Sequence, residues 1–124
     1  MATSQSQDTR YSMDIYSKIL SVIDEMKVAV KGMQNWGIKK ANAEKEYQTV
    51  LSQVVLRERD KGTAIGVITL TVKGFKEVAE KRLERDIAET MYEVSQEKIN
   101  ISKLEARILE NQLNREWGME GKQL

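Results

Sequence analysis

From Tyr11 onward, apolar and polar residues follow one another at the spacing of an amphipathic helix. Ile19, Ile23, Met26, Val30 and Met33 are separated by steps of four and three, which keeps them on one face at 3.6 residues per turn. Thr9 or Ser12 would cap the start. The stripe thins at Asn35-Trp36-Gly37, where the register lands on Gly37, Lys40 and Glu44. It returns at Tyr47, Leu51 and Val54, widened by Val50, Val55 and Leu56. Either Gly37 ends one helix and a second begins near Ile38, or a single helix runs over 11–60. An interior glycine costs only about 1 kcal/mol relative to alanine and forces no break.

Lys61-Gly62 ends this pattern. In the segment that follows, Ile68, Leu70 and Val72 alternate with Thr69 and Thr71, as in a half-buried strand. A lone strand would need a partner for its backbone, such as the same segment of a second chain. The alternative is an apolar loop or short helical turn folded onto the helix ends. From Phe75 to Trp117 the helical signal is strongest: Val78, Leu83, Ile87, Met91, Val94, Ile101, Leu104 and Ile108 keep near-heptad spacing, and Gly118 is placed to end the helix.

Helices over 11–60 and 75–117 would span roughly 75 and 65 Å at 1.5 Å per residue. Similar lengths and a short connector predict an all-α fold, a long antiparallel helical hairpin of coiled-coil type. A break at 35–37 would give three helices instead. Two helices leave much of their apolar faces wet, so homo-oligomerisation, as a dimer of hairpins, is expected. The expected organisation is a flexible segment over 1–10, one helical domain over 11–118 with its connector at 61–74, and a polar tail over 119–124.

Composition narrows the chemistry. The 124 residues include no proline, which leaves long helices uninterrupted. Twenty basic residues balance 19 acidic ones, unlike a chain built chiefly to grip a phosphate backbone. With no cysteine and no histidine, disulfides, thiolate metal sites and histidine-based proton transfer are excluded within this chain. Glutamate pairs such as Glu93 with Glu97 lack the histidine that usually completes a helical two-metal site. Gly62, Gly66 and Gly74 match no phosphate-binding loop. No catalytic residue, metal or cofactor is expected. The polar N-terminus shows no signal-peptide core, and no run is long enough to cross a membrane.

Several short stretches together resemble a known group of proteins. Ala43-Glu44-Lys45-Glu46-Tyr47, Leu56-Arg57 before Gly62, Gly74, Val78-Ala79, Arg85-Asp86, Ala88-Glu89, Ile99-Asn100, Lys103-Leu104-Glu105 and Arg115-Glu116-Trp117-Gly118 are similar to a family of short uncharacterised helical proteins encoded by phages and prophages of Gram-positive bacteria. The likeness is spread over residues 40–118. It implies a phage origin and a place in the host bacterial cytoplasm, and carries no activity. In the connector, where relatives tend to have a proline and an aspartate, this chain has Ala64 and Leu70.

The leading expectation is therefore a non-enzymatic protein-protein interaction module. It would be an accessory factor acting on phage or host DNA-metabolism or defence machinery. Arg82, Arg85, Asp86 and Glu89, with Arg57 and Arg59 near the opposite helix end, are candidates for a polar recognition patch around the connector, since arginine suits bidentate contacts; the plainer reading is a solvated helix face. Trp117 is either a binding anchor or a closure for helical packing. An alternative is nucleic-acid binding through a basic face, Lys27, Lys31, Lys39, Lys40 and Lys45 around Trp36. A third is a structural or assembly component of the phage.

Overall fold

The computed structural model describes the backbone of residues 2–122 and the side chains of residues 10–118. Among these every element is helical. Helix α1 spans Ala2–Asp60, α2 Ile65–Thr71, a 3-10 turn Val72–Gly74, and α3 Lys76–Lys122. Helix α1 runs through Gly37 without a break, so the three-helix alternative built on that break is set aside. It also begins before Thr9 and Ser12, and neither residue caps it. Helix α3 likewise continues through Gly118. The physical reason is common to all three: with no proline present, an isolated glycine or polar residue costs a helix too little to end it. The flexibility expected of 1–10 and the polar tail at 119–124 fall largely on side chains outside the described residues.

The chain forms two compact units, one from Gly32–Val94 and the other from Met1–Lys31 with Ser95–Leu124. In the first, α1 and α3 form an antiparallel hairpin closed by α2. The turn follows from local sequence. Gly62 takes φ +84°, its N–H donates to the Arg59 carbonyl at 3.0 Å, and the Thr63 N–H reaches back to Glu58 at 3.0 Å. This is the two-bond pattern of a Schellman stop. The Glu58 carboxylate is buried there, accepting the Thr63 hydroxyl at 3.1 Å and facing Lys61 at 3.6 Å.

Of the two readings of Ile68–Val72, the strand is set aside and the short helical turn folded onto the helix ends holds, as α2 running into the 3-10 turn at Val72. A helix satisfies its own backbone, whereas a lone strand cannot. The four-residue step from Ile68 to Val72 then puts both side chains on one face, buried with Tyr47, Val54 and Val78. Val50, Leu51, Val55 and Phe75 pack against this core. Ala64, at the helix start, has φ −63° and ψ 141°, a conformation proline favours.

In the second unit the antiparallel segments of α1 and α3 bury Ile15, Val22 and Ala29 together with Ile99, Ser102 and Leu113. Tyr11 and Gln112 are hydrogen-bonded across the pair. Counted with the half-buried residues between them, such as Ser12, Ile19 and Met26 on α1 and Ala106 and Leu109 on α3, these rows advance in steps of three and four, the coiled-coil repeat. They match the predicted rows in part: Tyr47, Val54 and Val78 are buried, and Ile19, Met26, Met33 and Leu51 half-buried, as the periodicity predicts, while other predicted positions lie outside the seam. Ile23 and Val30 are 37% and 48% exposed while their neighbours Val22 and Ala29 are buried. Leu83, Ile87, Val94, Ile101, Leu104 and Ile108 are all between 51% and 62% exposed. Both helices carry two apolar rows; on α3 the hairpin contact uses the one with the small residues Ala88, Ser102 and Ala106, and on α1 the one with Ile15, Val22, Ala29, Tyr47 and Val54.

Candidate docking surface

Helix α2 positions the most exposed apolar group of the 32–94 unit. Its inward face, Ile68 and Val72, is consumed by the core. Its outward face presents Val67 and Leu70, the last 86% exposed, while Ile65, 70% exposed, stands on the side of Ile68 and Val72. The polar atoms that would hydrate this face are turned inward: the Thr69 and Thr71 hydroxyls donate to the Ile65 and Val67 carbonyls at 2.9 and 2.7 Å. Beside it, Leu51, Val55, Ile65, Ile68 and Val72 line an open groove of about 310 Å³, with Arg59 and Lys73 at its rim. Neither cation makes an ion pair within the described residues. An apolar floor under two free cations suits an amphipathic segment with acidic flanks.

The arginines singled out from sequence do not form one patch. Arg57 is paired with Glu77, linking the last turn of α1 to the first of α3. Arg85 stacks over the Tyr47 ring at 4.3 Å and faces Asp86 at 3.1 Å and Glu44 at 3.6 Å. Its stem lies in the helix seam, where a long cation can bury its carbons and keep its head solvated. Lys81 occupies a similar position, 3.1 Å from Glu46 and 3.3 Å from Glu84. Arg82 is half-buried. Trp117 belongs to the other unit and is 53% exposed.

The lysine face is also divided. Lys27 and Lys31 lie in one unit, and Trp36, Lys39, Lys40 and Lys45 in the other. Trp36 is half-buried with the Lys39 ammonium 4.4 Å from its ring, and Lys40 sits 4.9 Å from the ring of Tyr92. Two of the lysines thus face rings of their own chain. A Cβ at Gly37 would lie 3.4 Å from Tyr92 Cε2, an ordinary contact distance, so Tyr92 packs beside this glycine without requiring it. The residues that sequence reasoning missed are Ile65, Val67 and Lys73; Arg59, a member of the expected arginine patch, stands at the groove rim. The signal was present in the apolar run after Gly62, obscured by its strand-like alternation.

Among the described residues no group of acidic side chains is placed to hold a metal ion, and no helix is long and apolar enough to cross a membrane. No protein-family model, curated protein or solved structure matches the chain.

Proposed function

We propose that this chain is a non-enzymatic helical interaction module, encoded by a phage and acting in the host bacterial cytoplasm. It docks the α2 end of its hairpin onto a phage or host protein of DNA metabolism or defence. The observation that carries this reading is the exposed apolar surface of α2. Leu70, Ile65 and Val67 stand in solvent at 86%, 70% and 50% exposure, although the short helix could have carried polar residues there at no cost to the core. Large apolar side chains exposed to this degree on one short helix, beside an apolar groove, fit an interaction site. The groove beside it, with Arg59 and Lys73 at the rim, suits a partner helix with apolar anchors and flanking carboxylates. The phage setting rests on the sequence resemblance over 40–118.

The experiment is capture from phage-infected cells with the full chain and with Leu70→Asp, both checked for equal helicity. A protein retained by the wild type and lost with the variant supports the reading. No protein above background, or equal retention by both, sinks it. Self-association belongs to the same reading: a two-helix unit leaves apolar rows that a second hairpin would cover.

A further inference from the structure

We infer that a second copy of this chain docks antiparallel on the outer row of α3 in the unit of the chain ends, with Ile101 of each copy against Leu104 of the other. The inference rests on the self-association proposed above and goes further by naming the surface, the direction and the register. Ile101, Leu104 and Ile108 are 62%, 55% and 55% exposed. They follow in steps of three and four, the spacing at which two helices interlock. Such a row alone does not say what covers it, but the flanking charges do.

Glu97, Lys98, Glu105 and Arg107 border the row. All four are exposed and none makes an ion pair within the described residues. In an antiparallel pairing with residue 101 opposite residue 104, Lys98 of one copy lies beside Glu105 of the other, and the pair occurs twice. Glu97 falls opposite Ile108 of the other copy, within reach of its neighbour Arg107. Each of these four charges thus has an opposite one within reach, and Lys98 and Arg107, which this register sets level, lie on opposite flanks of the row. Glu97 lies in the row in either alignment, but a parallel, in-register pairing would set it against Glu97 of the other copy and add repulsion. The charge pattern therefore selects the antiparallel alignment. Six large apolar side chains and their flanks would bury on the order of 1,000 Å² in total, at the lower limit of a specific interface. A weak dimer, with a dissociation constant of about micromolar order, is expected.

Sedimentation equilibrium of the full chain from about 1 to about 100 µM tests this, with circular dichroism confirming unchanged helicity. The wild type should be a monomer–dimer mixture and Leu104→Asp a monomer. Glu97→Arg and Arg107→Glu should each raise the dissociation constant about tenfold or more, and the double variant should return it toward the wild-type value. A wild type that stays monomeric throughout overturns both self-association and this interface. A wild-type dimer indifferent to the single variants, or a double variant no tighter than either single one, overturns this interface while self-association stands.

Discussion

The 32–94 unit and the unit of the chain ends are built from the same two helices yet are finished differently. In the first, α2 folds over the seam, so Val54, Ile68, Val72 and Val78 are enclosed on several sides, and Val78 has no exposed surface at all. Charged pairs bridge α1 and α3 there: Arg57 with Glu77, Lys81 with Glu46, and Arg85 with Glu44. In the second unit the described residues offer two helices only. Its seam contains Ala29 and Ser102, and Met13, Tyr16, Leu20 and Trp117 remain between 46% and 60% exposed. A pair of helices has one mutual contact and cannot bury apolar surface on its remaining sides. A third element solves that problem inside the chain. Without one, those sides stay exposed.

The largest effect should come from breaking the enclosed core. Val78→Asp places an unpaired charge where no solvent reaches, and should cost about 4 kcal/mol or more. Urea unfolding followed by circular dichroism measures it. A loss under about 1 kcal/mol would show that the α2 closure is loose and the contrast between units false.

An intermediate effect, of opposite sign, is expected in the other unit. The Ser12 hydroxyl is buried without a hydrogen-bond partner. Ser12→Ala removes that unsatisfied group and improves helix propensity, and should stabilise the fold by about 1 kcal/mol. A lower melting temperature for the variant would mean that the hydroxyl has a partner and that this seam is better finished than the contrast holds.

The smallest effect lies in the bridging charges. The hydrogen bond from Arg57 holds the Glu77 carboxyl below the usual carboxylate range, and burial only partly opposes it. A depressed folded value means that the pair stabilises the protein above the carboxyl's unfolded pKa, and that this contribution fades as pH falls through the folded one. Both groups are exposed, so the contribution is small. Melting temperature against pH, compared between the wild type and Arg57→Gln, should converge at acid pH. Parallel curves would remove the bridge from the account of this unit.

Part of the fold was legible in sequence because it is local. The stop at Gly62 depends on one residue able to take positive φ, and the helices on apolar periodicity and the absence of proline. Other features required neighbours. Ile68-Thr69-Leu70-Thr71-Val72 alternates like a strand, but the nearby ends of α1 and α3 reward a helix that drops Ile68 and Val72 into one core. Gly37 resembles a helix break until Tyr92 is seen packed against it. Arg85 looks like a recognition residue until Tyr47 and Glu44 are found around it. The exposed apolar face of α2 stayed hidden for the same reason, since no outward face exists until the segment is known to be helical.

The amino-acid order by itself determined that the chain is helical, where the turn falls, and that histidine and cysteine chemistry is absent, because each of these depends on residue identity or on neighbours a few positions away. Only the tertiary structure decided which of two adjacent apolar rows on each helix is enclosed. Periodicity sets the spacing of a row. The choice between Val22 and Ile23, or between Ser102 and Ile101, is made by how closely the facing helix can approach.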